Sequence, residues 1–558
     1  MKTAPDVHHR QERGARLEHF ARQVTDKYRL LIIVALVVVY LVVTVQLARA
    51  KLIWTDEFFT LYLSRLSLRE LWSALLTGGD QHPPPFYLAH HFFLSLFGEQ
   101  SWALRLPSIL GFLLMMVCVY RFVAKRTSPV YGIVAMVMPL VTSVHDYSYE
   151  ARGYSLLTGF LALAVVCWQQ VGEKRRSVVA PLGLAIALMG AVASHYYSIL
   201  LLPALAASEV VRSFRLKSVN LAVWLAMCAS IIPLLAFSPL LRASSRFAGT
   251  FWAKASLFEI HLFYKNVLAS GATCLLCGLA VAGLYRMIFD RRQNTTDKES
   301  NAFPVDEIVL GATFAAAPFA VYMFGKTVTG VFAWRYAMGG IIGLAILFGF
   351  FCFRFFRGSR VAAFLFVLVA VGYFVVTGQV KKRTLEYEQS DLMRLSGWLA
   401  LKVPASERLV IGDSKFFYAL SYYGPRATKR RLIYLVDPER SLKYLQHDTV
   451  ERSLWALNPW FGLNVKPYGS FFAKDRTAMV WSGVSPEWSW LPSALIDDGK
   501  EIILTGRIGA GLLFSVQGQK DDSAPLTTSR MNDREFHCHE NETASGLIPA
   551  VPGLRAPK

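Results

Sequence analysis

The chain of 558 residues is 54% hydrophobic and only 18% charged, whereas a typical soluble protein carries about 25% charged residues. Its apolar residues come in long blocks, which favours a polytopic membrane protein. The net charge is +20, but the basic residues form short clusters between the apolar blocks. A nucleic-acid-binding protein would gather this charge on one soluble face, so that class of function is not supported.

Residues 1–29 are polar, basic and without hydrophobic periodicity, and we predict a partly disordered cytoplasmic tail. The first apolar block, residues 30–47, is just long enough to cross a bilayer of ~30 Å. Residues 47–50 faintly resemble a signal-peptide cleavage site. The block exceeds the usual signal core of about 7–15 residues, however, so we predict a retained anchor.

Further apolar blocks predict the rest of a membrane domain with about eleven spans in all. They lie near residues 103–121, 129–145, 150–170, 178–196, 198–212, 219–241, 263–289, 305–325, 333–354 and 360–379. Basic clusters such as residues 121–126 and 354–360 favour the cytoplasmic side. The N-terminus is then cytoplasmic and the C-terminus lies outside.

Residues 83–97 are apolar but short, and three prolines open the segment. If this segment crossed the membrane, the basic residues 121–126 would lie outside, against the positive-inside bias. We therefore predict a helix that lies along the outer interface. The first external loop is then long, from about residue 50 to residue 102.

Residues 380–520 contain no spanning block and predict a soluble external α/β domain with a mainly parallel sheet. The predicted strands lie near residues 408–413, 431–436, 478–481, 501–505 and 512–516, with a helix over residues 414–423. Residues 521–558 are a polar tail, in which His537, Cys538 and His539 are interpreted as an incidental cluster. The predicted fold class is a polytopic α-helical membrane protein with a C-terminal soluble α/β domain.

The acidic pair Asp56 and Glu57 follows directly after the first span. Charge beside the hydrocarbon is costly and indicates a functional site. A carboxylate near a hydroxyl can take its proton, whereas arginine binds phosphate and aromatic rings stack on sugars. The further candidates lie at the external ends of the spans: Asp80, His82, Arg105, Asp146, Glu150, Arg152, Tyr154, His195, Tyr196, Arg335 and Tyr336.

Each candidate also has a purely structural interpretation. The acidic pair could cap the helix that follows it, because acidic groups favour helix N-termini. Glu150 and Arg152 could form an ion pair, and His195 with its tyrosines could belong to the aromatic belt of a membrane interface. Arg335 could extend its charge to the interface. The convergence of these groups on one side of the membrane favours function.

Three stretches resemble the signature of glycosyltransferase family 39: Asp56-Glu57, Asp80-Gln81-His82-Pro83-Pro84 and Arg105-Leu106-Pro107-Ser108. This family includes the dolichyl-phosphate-mannose protein mannosyltransferases (PMT) and the lipid A aminoarabinose transferases. The chain is most similar to bacterial membrane glycosyltransferases of the RgtA/B/C/D type. Residues 150–154 resemble their second external loop, and the resemblance covers about residues 30–350.

The resemblance implies a GT-C fold over residues 30–379 and inverting transfer of a sugar from a polyprenyl phosphate. The acceptor would be a hydroxyl group of a protein, lipid or glycan on the periplasmic face of a bacterial inner membrane. Asp56 would be the base, Glu57 would support it and His82 would shape the donor pocket. Because the second loop lacks the family's Asp-Pro pattern, either Asp146 or Glu150 could be the second carboxylate.

The resemblance leaves metal use open, because it varies within the GT-C fold. Two other functions use the same lipid carriers. One is transport of a lipid-linked glycan, although transporter sites lie near the bilayer midplane on broken helices. The other is an O-antigen-type ligase or polymerase, which need not carry an acidic pair after its first span.

Overall fold

The computed structural model describes residues 4–173, 178–289, 303–472, 477–483 and 488–517. The chain forms two compact units. The first comprises Met1–Lys51, Leu63–Ala248 and Ala253–Arg383, and the second comprises Leu52–Tyr62, Gly249–Trp252 and the chain from Thr384 onward. The predicted polar tail, residues 521–558 with His537, Cys538 and His539, lies outside the described residues.

Among the described residues, the chain is mainly helical up to Lys402. The helices are α1 (Ala4–Lys27), α2 (Arg29–Ala50), α3 (Thr55–Ser64), α4 (Leu68–Leu75), α5 (Pro84–Phe97), α6 (Ser101–Ala124), α7 (Pro129–Val137), α8 (Tyr154–Glu173), α9 (Val179–Ser194), α10 (Leu202–Leu216), α11 (Leu221–Ala229), α12 (Ile232–Ala236), α13 (Ser238–Ser245), α14 (Phe258–Tyr264), α15 (Ser270–Phe289), α16 (Val305–Ala315), α17 (Ala317–Phe324), α18 (Gly340–Phe355) and α19 (Arg360–Lys402). Most of α3 belongs to the second unit.

Within the described residues, five helices are long and apolar enough to cross a membrane: Arg29–Ala50, Ser101–Ala124, Tyr154–Glu173, Phe258–Phe289 and Arg360–Lys402. Phe258–Phe289 is the continuous helix formed by α14, the π-helical turn Lys265–Ala269 and α15. The number rises to eight if each of three bent helix pairs is one span. The structure therefore has several apolar helices of spanning length. The total of about eleven spans stays a prediction.

The apolar segment predicted as a span near residues 129–145 is bent in the structure. Pro129–Val141 and the 3-10 segment Ser143–Tyr149 meet at an angle of 78°. The bend falls at Thr142, whose backbone is extended and whose hydroxyl accepts a hydrogen bond from the amide of Val144. Thr142 therefore caps a separate segment, and that segment carries Asp146 and Tyr149.

For two other segments, the hydrophobic pattern predicted the structure only in part or not at all. A helix over residues 83–97 is confirmed as α5, although its position along the membrane interface stays a prediction. Residues 4–27 form a helix where a partly disordered tail was predicted. The carboxylate of Glu18 accepts a hydrogen bond of 2.9 Å from the amide of Arg360 at the start of α19. Such a charge at a helix N-terminus is favourable, so a tertiary contact supports α1.

The C-terminal part of the second unit is built on a six-stranded sheet. Its strands are β1 (Leu409–Ile411), β2 (Leu432–Val436), β3 (Val465–Pro467), β4 (Ala478–Gly483), β5 (Glu501–Ile508) and β6 (Gly511–Gln517), in the order β3-β2-β1-β4-β6-β5. Strands β1 to β4 run parallel, whereas β6 is antiparallel to β4 and β5. The predicted C-terminal sheet is confirmed. Strand β3 was missed because three residues ending in proline give little signal.

The helices of this part are α20 (Ser414–Tyr423), α21 (Arg426–Lys429), α22 (Pro438–Leu445), α23 (Thr449–Phe461), α24 (Tyr468–Phe472) and α25 (Leu491–Asp497). Every residue of β1 and β2 is buried. This is expected for parallel strands that are covered on both faces, and it explains their unbroken apolar sequences. The central strands of the sheet are therefore part of the core of this unit.

Candidate functional site

The candidate residues fall into two groups. Asp56 and Glu57 belong to the second unit, whereas all the others belong to the first. The others are Asp80, His82, Arg105, Asp146, Glu150, Arg152, Tyr154, His195, Tyr196, Arg335 and Tyr336. The sequence analysis placed Asp56 and Glu57 in an external loop after the first span. In the structure, both belong to the same compact unit as the C-terminal residues.

Asp56 and Glu57 lie in the first turn of α3 but differ in exposure. The side chain of Glu57 is fully buried, and its Oε2 accepts a hydrogen bond of 3.4 Å from the amide of Trp54. A glutamate at this position commonly reaches back to the residue before the helix. Asp56 is partly exposed. The helix-capping role considered for the acidic pair thus suits Glu57. Asp56 is the carboxylate of the pair that a ligand could reach.

Asp80, His82 and Arg152 come together in the first unit. The Nδ1 of His82 lies 3.3 Å from Oδ1 of Asp80, and Nη1 of Arg152 lies 3.9 Å from Oδ2. Burial alone would raise the pKa of Asp80, but the hydrogen bond from His82 and the charge of Arg152 outweigh it and lower the pKa to about 2. Asp80 is therefore a permanent anion that holds two neighbouring basic groups.

Because Gly153 has no side chain, its backbone packs closely against Ser194 at the end of α9 and against the ring of His82. A Cβ atom at Gly153 would lie 2.6 Å from the carbonyl oxygen of Ser194 and 3.1 Å from Cδ2 of His82. Any side chain there would force the backbone apart. The close approach places the rings of His82 and His195 at a centroid distance of 5.2 Å.

A cluster of rings surrounds His195. The ring centroids of Tyr154 and Tyr336 lie 5.3 and 5.6 Å from that of His195. The Nδ1 of His195 accepts a hydrogen bond of 3.2 Å from the amide of Tyr197, so this nitrogen carries no proton and the imidazole is neutral.

Two further candidates, Arg335 and Tyr196, are neighbours of Tyr154 and His195. The Nε of Arg335 donates a hydrogen bond of 3.0 Å to the hydroxyl of Tyr154. The hydroxyl of Tyr196 is buried and has no hydrogen-bond partner among the described residues. The amide of Trp334 donates a hydrogen bond of 2.6 Å to the carboxylate of Glu259, a residue that the sequence analysis did not select.

Glu150 pairs with a lysine that the sequence analysis also missed. The carboxylate of Glu150 forms an ion pair with Nζ of Lys51, and both side chains are largely buried. The same Nζ lies 5.4 Å from the ring centroid of Tyr149. Lys51 is the residue directly after α2, so its position at the end of a span was an available signal.

Arg105 occupies a different environment from the one predicted. Its side chain is fully buried, and Nη1 donates hydrogen bonds of 2.6 and 2.7 Å to the carbonyl oxygens of Ala48 and Lys51. These carbonyls lie at the end of α2, where backbone oxygens lack helical partners. This geometry favours a role for Arg105 in fixing the end of α2. The predicted phosphate contact finds no support in it.

Asp146 forms an ion pair with Lys381 and accepts a hydrogen bond of 2.7 Å from the hydroxyl of Tyr149. Both alternatives for a second carboxylate, Asp146 and Glu150, therefore have a lysine partner in the first unit. The structure leaves the choice between them open. Among the described residues, no group of three or more histidine, cysteine, aspartate or glutamate side chains is arranged to hold a metal ion.

The arrangement in the first unit combines cations with carboxylates and a cluster of rings. Lys51, Arg152, Arg335 and Lys381 supply positive charge. Arginine matches the oxygens of a phosphate bidentately, and lysine adds a point charge. Tyrosine rings offer flat faces to a sugar. This chemistry suits a phosphate that carries a sugar.

Two comparisons with known proteins give matches. The model of the dolichyl-phosphate-mannose-protein mannosyltransferase family matches residues 81–242. The crystal structure of ArnT from Cupriavidus metallidurans in the apo state is similar, with a TM-score of 0.54 at 13% identity over 87% of this chain and 97% of that chain. None of the curated proteins matches the chain.

ArnT from the same organism, bound to undecaprenyl phosphate, has a TM-score of 0.50 at 12% identity over the same shares of both chains. At these identities the likeness shows the fold. The family match begins at Gln81, so Asp56, Glu57 and Asp80 precede it. The resemblance predicted from the sequence is confirmed: residues 81–242 match the model of the mannosyltransferase family, and the chain shares the fold of ArnT.

Proposed function

We propose that the protein is an inverting glycosyltransferase of a bacterial inner membrane. It transfers a sugar from a polyprenyl phosphate to a hydroxyl group on the periplasmic face. The cluster of Arg152, Arg335 and tyrosine rings carries this proposal, because it lies in the first unit with basic and aromatic groups side by side. The matched family is named for a lipid-phosphate sugar, and ArnT was crystallised with undecaprenyl phosphate.

The donor phosphate is assigned to Arg152 and Arg335. Arg152 is held by Asp80 and Arg335 by Tyr154, so both guanidinium groups are positioned before a ligand arrives. Such preorganisation lowers the entropic cost of binding. The buried rings of Tyr154 and Tyr336 are assigned to the wall of the sugar site, with His195 packed against both rings as a hydrogen-bonding group.

Asp56 is assigned the role of general base. Its carboxylate takes the proton of the acceptor hydroxyl while the acceptor oxygen attacks the anomeric carbon. The bond between that carbon and the phosphate oxygen breaks, and the electron pair leaves with polyprenyl phosphate. One displacement inverts the anomeric configuration. The protonated Asp56 then releases its proton to water.

The Asp56→Asn variant tests this assignment. We expect transfer to fall at least about 100-fold, since a positioned base contributes about 10²–10⁴-fold. A panel of radiolabelled undecaprenyl-phosphate sugars serves as donor, with inner membranes from a strain lacking the protein as acceptor. Transfer is measured as label that moves from the donor to other membrane components.

Glu99→Gln is the matched control, because Glu99 is an exposed carboxylate paired with Arg65. It should retain activity, and both variants should elute as the wild type does in size-exclusion chromatography. Full activity of Asp56→Asn would refute the assignment. Movement of the intact donor across the bilayer without bond cleavage would show a transporter and contradict the proposed function.

A further inference from the structure

We propose that the C-terminal part of the second unit holds α3 in a cradle of aromatic side chains and thereby positions Asp56. This inference rests on the proposed function, because it takes Asp56 as the base. It gives the aromatic residues of the C-terminal part a positioning role that they exert through Asp56. The cradle consists of Tyr418, Tyr422 and Tyr423 on α20 and Phe461 at the end of α23.

The first side of the cradle is formed by α20. Phe58 of α3 is fully buried, and its ring stacks on that of Tyr418 at a centroid distance of 5.6 Å and an interplanar angle of 18°. Tyr422 meets the same ring edge-on at 5.6 Å. Stacked and edge-to-face pairs at these distances are favourable beyond the area that they bury.

The second side of the cradle is Phe461. Its ring lies 5.5 Å from that of Phe59 and 4.8 Å from that of Tyr62, measured between centroids. Phe58, Phe59 and Tyr62 lie on one stripe of the helix, because residues three and four apart share a face. Helices α20 and α23 thus contact one continuous face of α3.

The segment before α3 is fixed as well. The amide of Ile53 donates a hydrogen bond of 3.0 Å to the hydroxyl of Tyr423, and Ile53 is buried. Glu57 then ties the amide of Trp54 to the first turn of the helix. The backbone on both sides of Asp56 is therefore constrained by contacts within the second unit.

A general base depends on such constraint. The proton acceptor must lie within about 2.6–3.2 Å of the hydroxyl that it deprotonates. A misplacement of about 1 Å can cost about 100-fold in rate. Loosening the cradle should therefore lower kcat while KM changes little, because Asp56 acts in the transition state.

Phe461→Leu tests the cradle, since it removes a ring that contacts α3 but keeps an apolar side chain. We expect kcat to fall about tenfold or more with KM within about twofold. Hydrogen exchange of residues 53–62, measured by mass spectrometry on the full chain, should become faster. Phe461→Tyr keeps the ring and should restore both values.

Phe472→Leu is the matched control. Phe472 is also a buried ring of the second unit, but it packs on Tyr468 and Phe471 in the core of the sheet. It should lower the thermal stability of the protein without changing kcat or the exchange of residues 53–62. If Phe461→Leu fails to fold, Tyr423→Phe removes only the hydroxyl bonded to Ile53 and should still speed exchange there.

The readouts separate the two proposals. Unchanged exchange and unchanged kcat in Phe461→Leu and Tyr423→Phe would overturn the cradle, and so would faster exchange with unchanged kcat. Full activity of Asp56→Asn would instead remove the proposed base. In that case the exchange data would still report whether the cradle holds α3.

Discussion

Two buried carboxylates, one in each unit, lie in opposite environments. Asp80 in the first unit faces His82 and Arg152, and these partners lower its pKa to about 2 although burial opposes them. Asp413 in the second unit precedes α20, and burial raises its pKa to about 6. Charges thus organise the candidate donor site of the first unit, whereas apolar and aromatic packing organises the support of α3.

This difference indicates how each region should respond to change. A site held by charge pairs fails when one partner is removed, because the other is left buried without compensation. A site held by ring packing tolerates a similar ring, because contact area and shape decide its stability. In the first unit, a damaging substitution should therefore be rescued by restoring the charge balance. In the second unit, it should be rescued by restoring a ring of similar shape.

The largest effect should come from Gly153→Ala in the first unit. The added Cβ atom would lie 2.6 Å from the carbonyl oxygen of Ser194 and press on the ring of His82. Because backbone cannot move aside as a flexible side chain can, Arg152 and Tyr154 would shift with it. We expect transfer to fall at least about 100-fold, measured with the labelled donor panel.

Gly372→Ala provides the control, because a Cβ atom at Gly372 would meet no other atom within 4 Å. It should retain transfer activity and raise helix stability slightly, by about 0.5–1 kcal/mol. Wild-type activity in Gly153→Ala would show that the close approach of residue 153 to His82 does not organise the site. The contrast between a first unit organised by charge pairs and a second unit organised by ring packing would then no longer hold.

The next effect should come from Arg152→Ala. This change removes the guanidinium beside the buried carboxylate of Asp80, which keeps its hydrogen bonds to His82 and to the amide of Gln81, so the cost should stay below the roughly 3–5 kcal/mol of a fully broken buried pair. We expect a lower apparent unfolding temperature and a loss of donor binding. The double variant Asp80→Asn/Arg152→Ala should recover stability but not donor binding, because only the charge imbalance is repaired.

Arg65→Ala is the matched control for Arg152→Ala. Arg65 pairs with Glu99 at the surface, where both side chains are well exposed. Exposed pairs contribute about 0–1 kcal/mol, so stability and transfer should stay near wild type. Equal stability of Arg152→Ala and Arg65→Ala would contradict the view that buried charge pairing holds the first-unit site.

The sequence indicated the long apolar helices of the first unit for a physical reason. A spanning block must be about 20 residues long and apolar, so it stands out from any background. Asp80 and His82, or Arg152 and Tyr154, are neighbours along the chain, and a short motif captures them. The structure brings these four residues together.

The contacts that the sequence did not predict join segments far apart in the chain. Asp146 pairs with Lys381, 235 residues away, and Glu150 pairs with Lys51, 99 residues away. The sequence contains many lysines and carboxylates, so residue type alone does not determine which of them form pairs. The cradle of α3 was invisible for the same reason, because Phe59 and Phe461 meet only through the fold of the second unit.

The smallest effect should be a pH dependence at Asp413, the residue that caps α20. Its side chain accepts a hydrogen bond of 2.9 Å from the amide of Lys415, and burial raises its pKa from 3.8 to about 6. A raised carboxyl pKa means that its contribution to stability is complete below pH 3.8 and is lost as pH rises through about 6. The difference corresponds to about 3 kcal/mol.

Asp413→Asn keeps the cap, because asparagine is an equally good residue at this position, but removes the titration. We expect amides of residues 414–423 to exchange faster in the wild type than in the variant above pH 6. The ratio of the two rates at the same pH should approach one near pH 4, where Asp413 is largely protonated. Comparing rates at equal pH cancels the intrinsic pH dependence of exchange.

Asp437→Asn supplies the control, because Asp437 caps α22 and lies partly exposed beside Arg440. It should leave the ratio at residues 414–423 constant with pH. A constant ratio in Asp413→Asn would mean that burial does not hold a proton on Asp413 in the folded state. Asp413 would then be ionised in the folded protein, and its contrast with the charge-paired Asp80 would no longer hold.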